Sequence, residues 1–184
     1  MADKKDLKKD YKKAIESYSQ SLELQNNVLK TYVDRSIAYT MMGDSVNALK
    51  DFVIAYRLNP ESEKIFADSV FNFVQRKQYD LAINEYNMLL KFNTSNPFYY
   101  FYRGVAQFSK NNVDAAIADW EIAVKFKSKD VLQSASYNLS VAYDAIGNEN
   151  KAVYYALMAK TVGYAVADTF IASLQKKQLE QSKK

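Results

Sequence analysis

The sequence predicts an all-α fold, a right-handed α-solenoid of antiparallel helix pairs that ends in a C-terminal capping helix. The first observation behind this prediction is that only four glycines and two prolines occur among 184 residues, too few for the many tight turns of a β-sandwich. The second is that residue types recur along the chain with a period of 34 residues. Because one helix pair cannot bury its own apolar face, repeated pairs are expected to stack around a continuous core.

Two kinds of residue mark the repeat. A small residue, which lets the two helices of a pair approach closely, recurs as Ala48, Ala82, Ala116 and Ala152. Four residues later an aromatic side chain, which fills the groove one turn along the same helix face, recurs as Phe52, Tyr86 and Trp120. The last unit follows at a shift of 36 residues and has Ala156 at this place. We therefore expect a longer connection around residues 128–131 and thinner packing in the last unit.

The period divides the chain, which we predict to be a single domain over residues 1–184. The predicted units are a partial repeat (1–26), four repeats (29–62, 63–96, 97–130 and 133–163) and a capping helix (164–181). The capping helix would place Tyr164, Val166, Ala167, Phe170, Ile171 and Leu174 on one apolar face. Such a helix would cover the last repeat.

The turn between the two helices of each unit needs a residue that accepts a left-handed backbone conformation. Gly43 and Gly147 suit this place and Asn111 is acceptable there, whereas Lys77 predicts local strain or a different turn. One period before Gly43, the turn would fall at Lys9 and Asp10. The first repeat would then lack most of its first helix, so we expect either a sequence truncated upstream or a helix covered by a partner or a second copy.

The best-preserved unit reads YVDRSIAYTMMGDSVNALKDFVIAYRLNP, and a second reads FYYFYRGVAQFSKNNVDAAIADWEIAVKF. Over residues 10–162 the pattern resembles the tetratricopeptide repeat, whose units share an aromatic residue, Leu-Gly and Tyr in the first helix and Ala, Phe, Ala and Pro in the second. The first unit departs from it with Arg35 and Ser36 at the Leu-Gly positions, and the second keeps Gly104 but has Gln107 for Tyr. The resemblance implies a concave surface, lined by the first helix of each unit, that binds a peptide or protein segment.

Carried over position by position, the resemblance predicts an apolar and aromatic groove. Its residues would be Phe71, Phe98, Phe101, Tyr102, Val105, Phe108, Tyr137, Asn138 and Val141, and acidic residues would lie at Asp34, Asp68 and Asp144. The Lys-Asn-Asn-Lys-Arg clamp with which related repeats hold acidic chaperone tails is missing at the corresponding positions. The expected occupant is therefore an apolar or aromatic segment, either an extended peptide or an amphipathic helix.

The many aromatic residues, 15 Tyr and 10 Phe, divide into two sets. The repeat pattern assigns Tyr32, Phe66 and Tyr100 to the core, together with the aromatic series above. Phe98, Phe101, Phe108 and Tyr137 have no evident packing role between repeats. Three interpretations stay open for this second set: an exposed groove, a surface covered by superhelical closure or a neighbouring helix, and a self-association surface.

Composition excludes most familiar enzyme chemistry. The chain contains no cysteine and no histidine, so Ser-His-Asp and Cys-His triads and metal sites built on sulfur or imidazole are absent. The sequence also has no Gly-rich phosphate loop, no EF-hand loop and no close pair of glutamates suited to acid-base catalysis. We expect a protein that is not an enzyme and that has no cofactor and no metal.

The net charge of +4 comes from the two ends of the chain. Residues 1–13 and residues 176–184 each carry +3, which leaves residues 14–175 at −2. A nucleic-acid partner is therefore not expected, since binding would need a basic stripe on a folded face. The sequence shows neither a membrane-spanning stretch nor a secretory signal. As given it predicts a cytoplasmic protein, with a periplasmic location or a larger parent protein as the alternative for a truncated sequence.

The function expected from these observations is a non-catalytic interaction or scaffold module that binds a protein or peptide segment in the concave groove. One alternative is an assembly protein that forms homo-oligomers through its uncapped N-terminal end. Another is the targeting domain of a larger enzyme. Nucleic-acid binding through the lysine-rich ends is the third.

Overall fold

The computed structural model describes the backbone of residues 4–183 and the side chains of residues 8–62 and 70–183. Its helices are α1 (Lys4–Leu24), α2 (Leu29–Met42), α3 (Ser45–Leu58), α4 (Ser62–Gln75), α5 (Tyr79–Phe92), α6 (Pro97–Ser109), α7 (Val113–Lys125), α8 (Lys129–Ala145), α9 (Glu149–Thr161) and α10 (Asp168–Gln181). No strand occurs in the described part of the chain. The all-α prediction is confirmed.

The chain divides into two compact units, Met1–Phe92 and Asn93–Lys184. In the first unit α2 packs on α1 and α3, and α4 packs on α5. In the second unit each of the helices α6 to α9 packs on the next one along the chain. Adjacent helices therefore pair as the repeat predicts, while the assignment of residues 1–184 to a single domain stays a prediction.

Residues with positive φ terminate the first helix of each pair. Gly43, Lys77, Asn111 and Gly147 have φ values of 82°, 59°, 66° and 73°. In each case the amide of the next residue donates to a carbonyl five residues back, as in the bond of 2.8 Å from the Gln78 amide to the Phe73 carbonyl. These four predicted turn positions are confirmed, and the strain expected at Lys77 is present.

Replacing Lys77 with glycine is expected to stabilise the first unit by about 1 kcal/mol. A left-handed backbone costs a residue with a Cβ atom about 1–2 kcal/mol, which outweighs the entropy that a flexible glycine adds to the unfolded chain. The midpoint of urea unfolding measures this gain. The control is Arg76→Gly, one residue earlier at φ −85°, which is expected to lower the midpoint; a Lys77→Gly midpoint below that of the parent would contradict the expectation.

Three expectations about helix boundaries are corrected. Helix α1 continues through Lys9 and Asp10 without a turn, because neither glycine nor proline interrupts residues 4–13. The two extra residues near Ser128 lengthen α8 to 17 residues and not the loop before it. The capping helix begins at Asp168 and not at residue 164, since Gly163, at φ 94°, ends α9 and a short link follows.

The predicted core positions are buried. Ala48, Ala82, Ala116, Ala152 and Ala156 are inaccessible to solvent, and Tyr32, Phe52, Tyr86 and Trp120 are buried among them. Tyr100 is half-buried: it packs against the core cluster of the second unit and stacks on Phe126, with ring centroids 6.1 Å apart. Phe66 lies outside the described side chains. The link and α10 cover the second unit with Val166, Ile171 and Leu174, whereas Ala167 is exposed.

Candidate functional site

Helix α6 carries most of the predicted groove residues. Asn96 caps its N-terminus by accepting a hydrogen bond of 3.0 Å from the Phe98 amide, and Pro97 occupies the first turn. Five of the predicted residues lie at spacings of three and four along one face of this helix. They are Phe98, Phe101, Tyr102, Val105 and Phe108. The fold therefore brings the α6 residues of the predicted groove together on one surface.

The N-terminal half of this face is a cluster of rings, which we call the aromatic patch: Phe98, Phe101 and Tyr102. Phe98 is 39% exposed and stacks on Tyr102 with ring centroids 6.5 Å apart. Phe101 meets Tyr102 edge-on at 5.1 Å and is half-buried. The rings support one another while one side of Phe98 stays open to water, so the patch can accept a further apolar group.

The C-terminal half of the face turns toward the core. Phe108 packs on Trp120 at 5.6 Å between ring centroids. Phe101, Val105 and Phe108 all contact the core cluster of the second unit and are half-buried. The sequence offered no packing role for Phe101 and Phe108, and the structure supplies one for both. Any ligand contact from Val105 or Phe108 would use only the exposed part of a side chain that also holds the helix in place.

Helix α8 contacts α6 and carries the remaining predicted residues of this unit. Tyr137, Asn138 and Val141 are half-buried. Tyr137 stacks on Tyr164 at 4.8 Å and lies 6.1 Å from Phe170, again between ring centroids. The link and α10 therefore cover part of the Tyr137 ring.

The predicted residues outside this unit belong to the first unit. Phe71 is half-buried on α4 of the first unit, and its membership of one groove with the α6 and α8 residues stays a prediction. Asp34 accepts a hydrogen bond from Lys30 at 2.5 Å. Asp68 lies outside the described side chains.

Of the predicted acidic residues, only Asp144 belongs to the second unit. It accepts a hydrogen bond of 2.7 Å from Lys177, which raises the pKa of that lysine above its ordinary value. This ion pair offsets the negative charge of Asp144. The one predicted carboxylate of this unit therefore already has a cation beside it.

Two further properties of the described residues bear on function. They contain no cluster of three or more acidic residues close enough to hold a metal ion. Within the same part of the chain, no helix combines the length and hydropathy needed to cross a bilayer.

No protein-family model matches the sequence, and a comparison with curated proteins finds no match. Solved structures do match. A crystal structure of MamA protein is 24% identical, with a TM-score of 0.52 and coverage of 86% of each chain. YrrB, described as a TPR protein with an unusual peptide-binding site, is 21% identical, with a TM-score of 0.54 over 92% of this chain and 84% of its own.

A third structure extends the likeness. The APC/C hetero-tetramer Cut9-Hcn1 matches 94% of this chain at a TM-score of 0.56 and 14% identity, and the match spans 34% of the longer chain. The chain has the tetratricopeptide-repeat fold. At these identities the likeness concerns the fold alone, and it agrees with the resemblance read from the sequence.

Sequence reasoning missed an ion pair that occurs twice in this chain, between α2 and α3 and again between α6 and α7. Arg35 donates to Asp51 from Nε and Nη2 at 2.7 and 2.8 Å. Arg103 donates to Asp119 in the same way at 2.8 and 2.5 Å. Both pairs join residues 16 apart, and the second lies two periods after the first. This repeated Arg and Asp spacing was the signal that could have revealed the pairs.

A polar cluster joins α8 and α9, the two helices of the last repeat, to α7 of the repeat before it. Tyr143 donates to Glu121 at 2.6 Å, and Lys151 donates to both the Tyr143 hydroxyl (2.7 Å) and Glu121 (3.0 Å). The same contacts raise the pKa of Lys151 and lower that of Glu121. A lysine held protonated is a poor nucleophile, so the cluster joins helices and does not supply a reactive amine.

Proposed function

We propose that the chain is a non-catalytic interaction module that binds a protein or peptide segment on the surface formed by α6 and α8. The observation that carries this proposal is the aromatic patch, in which Phe98 is exposed and supported from behind by Tyr102. Rings held in this way offer large apolar contact area at little further loss of side-chain entropy, which is typical of binding hot spots.

The chemistry of the surface favours an apolar or aromatic segment as the ligand. The patch contains no charged side chain, and Asp144, the predicted groove carboxylate of this unit, is paired with Lys177. A strongly charged ligand would lose water there without gaining an opposite charge. An extended peptide and an amphipathic helix both remain compatible with this surface. That Phe71 continues the same groove stays a prediction of the repeat register.

Selection of ligands from a random peptide library against the whole chain tests the proposal. We expect the selected peptides to be rich in aromatic and aliphatic residues. Replacing Phe98 and Tyr102 together with alanine should weaken their binding at least about tenfold, because truncation of an aromatic hot spot costs about 2 kcal/mol or more. Fluorescence anisotropy with a labelled peptide measures the affinity.

Tyr154→Ala is the matched control, since Tyr154 is a second exposed aromatic residue (57%) on α9 of the same unit. This variant should keep the affinity of the parent. Circular dichroism on all variants excludes unfolding as the cause of a loss. Peptides that bind the Phe98 and Tyr102 double variant as well as they bind the parent would contradict the proposal.

A further inference from the structure

The first unit contains an open groove that the repeat pattern did not predict. Helices α3 and α5, the second helices of two successive repeats, contact each other and border a groove of about 790 Å³. On α3 the bordering residues run from Ser45 to Arg57 at helical spacing. This length corresponds to about 18 Å, or about three turns of helix. The groove has the length of a short helical segment.

The floor of this groove, which we call the α3–α5 groove, is apolar. Leu49, Val53 and Ile54 supply it from α3, and Met88 supplies it from α5. Val46, at one end, is 66% exposed. An apolar surface of this kind gains free energy when a ligand removes it from water, so an apolar side chain is the natural occupant of the floor.

The charged residues bordering the α3–α5 groove are all cations. Lys50 and Arg57 lie on α3, and Lys91 lies on α5. Among the residues whose side chains the structure describes, no acidic residue borders the groove, and none of these three cations forms an ion pair. Arg57 and Lys91 lie in the last turns of their helices. The helix dipole favours a cation at this place but provides no anionic partner. The rim therefore attracts negative charge.

We propose that the α3–α5 groove binds an amphipathic helix of a partner protein that carries acidic residues beside its apolar stripe. Lys50 and Arg57 are seven residues apart, or about 10 Å along α3. Two acidic residues seven positions apart on a helix lying along the groove have the same spacing, so both cations can be paired at once. The apolar stripe of that helix would cover the floor. This surface belongs to the first unit and is independent of the aromatic patch.

Two labelled peptides test the proposal. Both have about 14 residues and a leucine stripe; one has two glutamates seven positions apart beside the stripe, and the other has lysines there. We expect the glutamate peptide to bind at least about tenfold more tightly, because each surface ion pair contributes up to about 1 kcal/mol and the lysines are also repelled. Fluorescence anisotropy at low and high salt measures both affinities. Added salt should weaken the binding of the glutamate peptide only.

Reversing the charge of Lys50 and Arg57 with Lys50→Glu and Arg57→Glu should remove most of the preference for the glutamate peptide. Both side chains are exposed, so the fold should be retained. The matched control is Lys12→Glu with Lys13→Glu, which makes the same change in net charge at exposed positions of α1 outside the groove. The control should keep the preference.

Three outcomes would overturn the proposal. The first is equal binding of the two peptides by the parent protein. The second is an equal loss in both charge-reversal variants, which would indicate attraction to the net charge alone. The third is a concentration-dependent dimer, seen by light scattering, that the groove variant abolishes and the α1 variant retains, because a second copy of the chain would then be the occupant.

Discussion

Replacing Gly104 with alanine is expected to destabilise the second unit by about 2 kcal/mol, although alanine is the better helix former. A Cβ atom at this position would lie 2.5 Å from Nε1 and 2.8 Å from Cδ1 of Trp120. The indole is 1% exposed and donates a hydrogen bond of 3.0 Å to the Phe101 carbonyl. The rigid ring must therefore shift, and overpacking of about 1–3 kcal/mol plus a weakened hydrogen bond outweighs the gain of about 1 kcal/mol in helix propensity.

Fluorescence during urea unfolding measures this effect directly, because Trp120 is the single tryptophan of the chain. Trp120→Phe supplies the control background, since its smaller ring leaves room beside position 104. In that background we expect Gly104→Ala, followed by circular dichroism, to cost much less than in the parent. A higher unfolding midpoint for Gly104→Ala in the parent would mean that helix propensity prevails and that the contact with Trp120 is not tight.

The repeat period was sufficient to predict the core because one packing geometry recurs in every pair. Ala82 and Ala116 could be assigned from Ala48 alone, since each faces the same kind of neighbouring helix. Lys77 could be assigned to a left-handed turn for the same reason, although its own preference is against that conformation. The N-terminal helix was mispredicted because the period places a turn at Lys9 and Asp10, where no local signal supports one.

The candidate site was predicted less completely, because residues at the two ends of one helix face pack against different neighbours. A helical spacing places Phe98 and Phe108 on the same face of α6, yet Phe98 is exposed and Phe108 packs on Trp120. Tyr137 is partly covered by Tyr164, which lies in a link that the sequence assigned to the capping helix. The extent of burial depends on these particular contacts, which periodicity does not contain.

The register of the repeats also identifies a buried carboxylate that lacks its usual cation. Glu85 lies one period after Asp51 and one period before Asp119, and the place of the arginine is taken by Ser69, whose side chain is outside the described residues. Glu85 is 1% exposed, and neither carboxylate oxygen has a hydrogen-bond partner among the described residues. Burial raises the pKa of Glu85 from 4.5 to about 7.

This shift makes stability fall as the pH rises. The unfolded chain releases the Glu85 proton near pH 4.5, whereas the folded chain keeps it until about pH 7. Between these values the unfolded state binds fewer protons, so the free energy of unfolding decreases with increasing pH. A shift from 4.5 to about 7 corresponds to about 3 kcal/mol, lost in full above pH 7. The chain has no histidine, so few other side chains titrate in this window.

Glu85→Gln removes the titration while keeping nearly the same shape and volume. The stability difference between the parent and this variant is therefore expected to change by about 2.5 kcal/mol between pH 5 and pH 8, in favour of the variant at pH 8. The cost of burying the uncharged amide group does not depend on pH, so it cancels when the stability differences at the two pH values are compared. Urea unfolding at several pH values measures it, and Glu23→Gln, at an exposed position of α1, is the control expected to leave the pH dependence unaltered. An equal difference between parent and Glu85→Gln at pH 5 and pH 8 would contradict this expectation. It would mean that Glu85 is already ionised in the folded chain at pH 5.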